Sequence, residues 1–395
     1  MEYTDVDPFS DAVLGDPLAF HHDLREAGPV VLLKRYDVFA LARYEHVHAA
    51  LGDWETFQSG AGVGLSDFRR EKPWRPPSLL LESDPPAHDA PRAVLSRLLR
   101  SRALGDLPQQ WDAAADALID EVLATSGDGV IDAIPALAEA FPLRVFPDAV
   151  GLPAEGRANL LPYGDLLFNA FGPRNHLFEK RLPQMGELSG WVNERCTREA
   201  LTPDGFGAAI WAAADAGEIT EEQAPLVVRS LLSAGVDTTV NALGALLHGL
   251  STNLDQWNVL RAQPRLLGSA FEEAVRWESP VQTFFRTTTR DVEVDGLTIP
   301  EGRKILMFLG AANRDPRRWS EPDRFEVTRN AAAHVGFGMG IHHCVGQHVA
   351  RAEATALVGA LLRCVERFEA AGPPVRRLNN TMRAFASLPI RLIAA

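Results

Sequence analysis

The residue in this chain best placed to do chemistry is Cys344, in the stretch Phe337-Gly338-Met339-Gly340-Ile341-His342-His343-Cys344-Val345-Gly346. Its composition is that of a loop, and its glycines let the backbone take left-handed angles and approach a flat ligand closely. A helix-like run over 347–368 follows. The thiol therefore sits just before a helix N-terminus, where free N–H groups and the helix dipole favour a thiolate. Such a placement would hold an anionic sulfur against an iron. The same residues also suit a buried free cysteine beside a glycine-rich turn.

A second anomaly is Ala234-Gly235-Val236-Asp237-Thr238-Thr239, inside the otherwise apolar run 224–250. Glycine and threonine weaken a helix, and a buried carboxylate is costly unless paired. Local rule-breaking of this kind points to function; a threonine that bonds back to a carbonyl and kinks the helix is the alternative. Arg229 and Ser230 are equally out of place in their apolar surroundings. At ~100° per residue, Ser230, Ala234 and Asp237 share one face of the helix. Ser230 and Asp237 lie ~10 Å apart along the axis, the reach of a para-substituted benzoate. Glu273 and Arg276, three apart, are neighbours on a helical face.

The elements that must position these residues read as mainly α with small peripheral β-sheets. Helical patterns cover 91–104, 111–124, 134–150, 155–169, 181–198 and 207–216, then a very long run over 221–252 and another over 264–277. A hairpin is expected over 30–43, a second over 291–299 around Asp295-Gly296, and a strand over 304–308. The chain has 395 residues, 46% hydrophobic and 23% charged, enough to bury a large core. No linker, repeat or low-complexity tract divides it, so one domain over 1–395 is expected. A net charge of −13 argues against general nucleic-acid binding. No segment reaches the roughly 18 uninterrupted apolar residues of a membrane span, and no apolar leader opens the chain, so a cytoplasmic protein is expected. Its three cysteines lack the spacing of a disulfide framework or a structural zinc site.

The pattern Phe-Gly-x-Gly-x-His-x-Cys-x-Gly at 337–346 resembles the haem-thiolate loop of the cytochrome P-450 family. The Asp237-Thr238 pair, Glu273-x-x-Arg276 and His88-x-x-x-Arg92 occur in that family's order. The resemblance implies a P-450 fold, with haem b between the long central helix and the cysteine-loop helix. It implies Cys344 as iron ligand, Phe337, Gly338 and Gly346 around the cofactor, and His88, Arg92, Arg286 and His342 on the propionates. Asp237 and Thr238 match the acid–alcohol pair that relays protons to dioxygen. Glu273 and Arg276 match a structural brace, and Arg324 is a candidate third member.

Further blocks are similar to bacterial P-450 enzymes that oxidise para-substituted benzoic acids, notably by O-demethylation of 4-methoxybenzoate. That likeness puts Arg75, Ser78, Arg229 and Ser230 at the carboxylate. It puts Leu81, Phe168, Phe171, Ala234, Val281 and Phe284 around the ring. The segment 174–184 departs from the pattern. Another small aromatic or terpenoid substrate is the alternative. The resemblance further implies a monomer, using O2 and fed by a [2Fe-2S] ferredoxin and a flavin-dependent NAD(P)H reductase. The stretch 91–104, with Arg92, Arg97, Arg100 and Arg102 and no acid, is a candidate ferredoxin-docking patch.

Overall fold

The computed structural model describes residues 2–395. Its N-terminal part runs β1 (Glu2–Thr4), α1 (Asp11–Gly15), α2 (Leu18–Ala27), β2 (Val31–Leu33), β3 (Val38–Leu41), α3 (Tyr44–Gly52) and β4 (Phe57–Gln58). A long irregular segment then leads to α4 (Asp89–Leu98), α5 (Leu107–Thr125), β5 (Val130–Asp132), α6 (Ala140–Val150) and α7 (Leu160–Asn169). The helices continue with α8 (His176–Glu179), α9 (Met185–Arg195), α10 (Phe206–Asp215), α11 (Gln223–Ala234), α12 (Asp237–Thr252), α13 (Leu254–Ala262) and α14 (Leu267–Glu278). Four strands follow: β6 (Thr283–Thr288), β7 (Val292–Val294), β8 (Leu297–Ile299) and β9 (Lys304–Phe308). The chain closes with α15 (Leu309–Ala312), α16 (Gln347–Cys364), β10 (Val365–Ala370), β11 (Val375–Arg377), β12 (Ala384–Ser387) and β13 (Pro389–Ala394).

The largest sheet has six strands in the order β1-β2-β3-β9-β6-β4. Both expected hairpins form, with Val31 opposite Ala40 and Val292 opposite Ile299. The second turns at Asp295-Gly296, where both residues have positive φ. The expected helix over 347–368 ends at Cys364 instead, and 365–370 is a strand paired with β13. Val365 and Phe368, three apart, continue the helical spacing, and an irregularity in register between Val365 and Arg367 lets both be buried from a strand paired with β13.

The main core gathers residues of α5, α6, α11, α12, α14 and α16. α12 is buried on nearly every side, which is why its sequence is apolar all round rather than striped. The stretch Gln223–Thr252 is long and apolar enough to cross a membrane, but 72% of its most apolar window is buried inside the protein.

That stretch is not the continuous helix the sequence suggests. It breaks between Ala234 and Asp237. Two causes are visible. The Thr238 hydroxyl donates to the Ala234 carbonyl at 2.6 Å and the Thr239 hydroxyl to the Gly235 carbonyl at 3.2 Å, competing with the helical ladder. The Phe146 ring lies directly against Gly235, where a Cβ would overlap it.

The segment between α15 and α16 has little regular structure and is fixed by a buried ion pair. Arg276 donates to both oxygens of Glu273 at 2.7 and 2.9 Å, and neither side chain is exposed. Its remaining donors reach the carbonyls of Asn313, Pro322 and Arg324. The third member of the cluster is Arg329, not Arg324: Arg329 donates to Glu273 at 3.0 Å. Arg324 contributes only its carbonyl, while its guanidinium sits at the surface 3.6 Å from Glu321. The loop turns back after 324, so the residue that reaches Glu273 is five positions later. Arg329→Ala is accordingly expected to destabilise the protein by about 3 kcal/mol, because it removes a partner from a buried charge. Arg324→Ala should stay within about 0.5 kcal/mol. Urea unfolding of both variants measures the contrast, and equal effects would contradict it.

Candidate active site

Cys344 lies immediately before α16, and its N–H donates to the Phe337 carbonyl at 2.8 Å, closing the loop into a tight hairpin. Gly338 and Gly340 take positive φ, as the sequence suggests, but Gly346 has φ −85° and serves as the residue before the helix. Burial pushes the Cys344 thiol up; N–H groups of Gly346 and Gln347 and the charges of Arg92 and Arg351 pull the other way.

The loop forms part of the lining of a cavity of about 250 Å³ between the α11–α12 break and the start of α16. Cys344, Phe337, Gly338, Gly346 and His342 line it from the loop; Ser230, Ala234 and Thr238 line it from α11 and α12. Leu81, Phe168, Phe171, Val281 and Phe284 supply its apolar walls, with Phe171 edge-on to both Phe168 and Phe284. Arg75, Ser78, Arg92 and Arg286 also reach it. Three residues singled out in the sequence do not line it: Asp237, Arg229 and His88.

Asp237 is buried on the α7 side of α12, with its Cβ against Gly164, where an added Cβ would approach to 2.8 Å. Its Oδ1 accepts from Arg377 at 2.7 Å while Oδ2 has no partner. Burial raises its carboxyl, and Arg377 opposes that. The sequence gives no sign of Arg377, which arrives from β11 on the far side of the chain. Arg229 donates to the carbonyls of Pro76 and Pro77 at 2.7 and 3.2 Å, so it braces the segment that carries Arg75 and Ser78. Arg75 pairs with Glu82 at 2.9 Å, leaving its Nε without a partner.

The acid-free stretch 91–104 keeps three of its four arginines, Arg97, Arg100 and Arg102, at the surface. Arg92 turns inward and donates to the His343 carbonyl at 2.7 Å, and Arg97 pairs with Glu218 at 2.5 Å. Only Arg100 and Arg102 remain exposed without an acid. The divergent segment 174–184 forms α8 and a short 3-10 turn, held by Asn175 on Asn380 and Arg181 on Asp165. None of it lines the cavity.

Around one end of the cavity lies a set of cations with too few anions. Arg286 is 3% exposed and donates only to the Phe285 carbonyl at 2.8 Å. Burial pulls its guanidinium down to about 10, partly offset by Asp84, and among the described residues no carboxylate lies within ion-pair distance of it. Arg92 likewise has no acidic partner. The Nε2 atom of His88 is buried without a hydrogen bond, that of His342 has only Asp84 Oδ1 at 3.5 Å, and the two rings are 5.1 Å apart. His342 Nδ1 lies 2.9 Å from the Leu80 carbonyl, a contact with no signal in the sequence. Two guanidinium groups and two imidazoles with spare capacity suit a ligand bearing two carboxylates, set beside a cysteine sulfur and flanked by flat apolar walls. That donor set fits a haem.

Comparison with known proteins agrees. Residues 260–392 match the cytochrome P450 family. Over 390 residues the chain is 57% identical to cytochrome P450 CYP199A2 of Rhodopseudomonas palustris, covering 99% of this chain and 94% of the relative. The chain belongs to the cytochrome P450 family. It is also 32% identical to the vitamin D(3) 25-hydroxylase of Pseudonocardia autotrophica, over 90% of this chain and 88% of that one. Among solved structures, CYP108D1 of Novosphingobium aromaticivorans superposes with a TM-score of 0.84 at 26% identity, covering 97% and 96% of the two chains. The P450 fold, haem b as cofactor and monooxygenase chemistry with O2, an organic substrate and redox partners follow from this membership.

The unpaired cations predict a separation of effects. Arg286→Met should lower haem retention while leaving the haem-free chain as stable as before or more so, since a buried charge without a partner is removed. Haem content and urea midpoints of the haem-free chain read the two effects. A haem-free variant weakened by more than about 1 kcal/mol would mean that Arg286 has a structural partner.

Proposed function

We propose that this P450 binds its haem through Cys344 and oxidises para-substituted benzoic acids, with 4-methoxybenzoate O-demethylation as the leading activity. When bound, the haem supplies the activation of O2. Arg92, Arg286, His88 and His342 would hold its propionates, and Phe337, Gly338 and Gly346 would pack against it. The chain would act as one domain over 1–395, a cytoplasmic monomer receiving electrons from a [2Fe-2S] ferredoxin and a flavin-dependent reductase.

The observation that carries the substrate class is the polarity of the cavity: aromatic and aliphatic walls, with Arg75, Ser78 and Ser230 as a polar group besides the cations assigned to the haem. Two guanidinium groups, Arg75 and Arg229, meet one carboxylate there, Glu82. One positive charge is left over, which matches a monoanionic acid. Ser78 Oγ accepts from the N–H groups of Leu80 and Leu81 at 3.3 and 3.1 Å, so its own proton is free to donate. Ser230 currently donates to the Leu226 carbonyl at 3.1 Å and would exchange that bond for the substrate. Arg75 would offer its unused Nε. Arg229 acts through position, holding Pro76 and Pro77. Phe168, Phe171, Val281, Phe284, Leu81 and Ala234 would clasp the ring, a flat slot suited to a planar aromatic.

Proton supply is assigned to Asp237 and Thr238. Thr238 faces the cavity with its hydroxyl on the Ala234 carbonyl, while Asp237 keeps one oxygen free and the other on Arg377. The free Oδ2 can hold a proton that burial favours. Its transfer to the cavity would pass by Thr238, whose hydroxyl can donate and accept.

Titration of the ferric protein with 4-methoxybenzoate, followed in the Soret region, tests the substrate. A high-spin shift at low ligand concentration is expected. Ser78→Ala should weaken that binding by about tenfold or more, the loss of a hydrogen bond to a charged group. Binding of the neutral 4-methylanisole should hardly change. Equal losses for both would sink the carboxylate anchor and favour a neutral aromatic or terpenoid substrate.

Asp237→Asn should slow turnover by about a hundredfold, raise the solvent isotope effect on turnover and leave benzoate affinity intact. Unchanged turnover would remove Asp237 from proton delivery.

A further inference from the structure

Away from the cavity, three metal-ligating side chains converge at the junction of α3 with the β7–β8 hairpin. Glu45 and His46 lie in the first turn of α3, and Asp295 occupies the hairpin turn with φ +47°. The ligand atoms of all three lie within 4.8 Å of one another. His46 Nε2 is 3.2 Å from Asp295 Oδ2 and 3.6 Å from Glu45 Oε1. The His46 side chain is only 10% exposed, its Nδ1 has no hydrogen-bond partner, and its Nε2 points at the two carboxylates.

We propose that Glu45, His46 and Asp295 form a binding site for a divalent transition metal such as zinc, with water completing the coordination. The spacing supports this. Ligands about 2.05 Å from a tetrahedral zinc stand about 3.3 Å from one another, and the two contacts to His46 bracket that value. Charge supports it as well. Two carboxylates gathered around a single imidazole repel each other at neutral pH, and a dication relieves the repulsion while using the imidazole lone pair. One nitrogen and two oxygen ligands suit zinc and its neighbours better than calcium, which takes six to eight oxygens.

The position gives the metal a mechanical role. It would pin the hairpin to the N-terminal turn of α3. The other end of that helix carries Leu51 into the cavity lining. There the carbonyls of Leu51 and Gly52 abut Gly340 of the cysteine loop, where an added Cβ would lie 3.1 Å from the Leu51 oxygen.

The test uses the haem-loaded enzyme, stripped of loose metal with a chelator and then dialysed against micromolar zinc chloride. Bound zinc per chain is read by atomic absorption and melting temperature by circular dichroism. One zinc per chain and a raised melting temperature are expected for the wild type. His46→Gln and Asp295→Asn should each weaken zinc binding by about tenfold or more and abolish the rise in melting temperature. His176→Gln, at a separate surface histidine near Asp11, should change neither. Asp295 is exposed, so its variant keeps the test sound if the His46 variant folds poorly. Absence of zinc from the wild type, or binding as tight in Asp295→Asn as in the wild type, would overturn the proposal.

Discussion

The structure hangs on one buried charge cluster. Glu273 has no exposed surface, and it accepts from Arg276, Arg329 and the Glu326 N–H. A carboxylate so placed is tolerable only while every acceptor position is filled. The requirement makes the loop between α15 and α16 behave as if it were regular structure. Arg276 takes carbonyls at 313, 322 and 324, and Arg329 takes those at 320 and 321. A segment with few strands or helices of its own is thereby fixed at five carbonyls and at the Glu326 N–H, and it leads directly to the loop bearing Cys344.

What the sequence makes legible follows the range of the interactions involved. The cysteine loop is readable because its parts are local: the left-handed glycines, the sulfur and the helix start all fall within ten residues. The two hairpins are readable for the same reason. Arg329 is not, because which arginine reaches Glu273 depends on how the loop doubles back, and Arg324 stands closer to the motif in sequence. Arg377 is hidden as the partner of Asp237 because 140 residues separate them. The break in the long helix is half-legible. Gly235 and the two threonines announce weakness, but the pressure of Phe146 that fixes the position comes from α6. Strand β10 escapes because Val365 and Phe368, three apart, continue the spacing of the helix before it.

The same distinction applies within the cavity. Residues expected near the substrate from their positions on α11 and α12 divide once side-chain direction is known. Ser230, Ala234 and Thr238 face inward, while Arg229 and Asp237 are turned aside to carbonyls and to a guanidinium. A seven-residue spacing predicts a shared face, and the break at 235–236 adds rotation between the two helices. Arg229 and Asp237 thus support the cavity from behind. Ser230 and Thr238 each present a hydroxyl to the cavity with a buried ion behind it, the arrangement that the proposed carboxylate anchor and proton donor would both use.

Arg286 has a meaning for how the protein is made. A guanidinium sealed from water with no acid at ion-pair distance is a cost to the polypeptide, one that the carboxylates of the cofactor would remove in the proposed arrangement. On that reading the haem-free chain carries an incomplete electrostatic interior, and supply of the cofactor becomes one of its folding conditions.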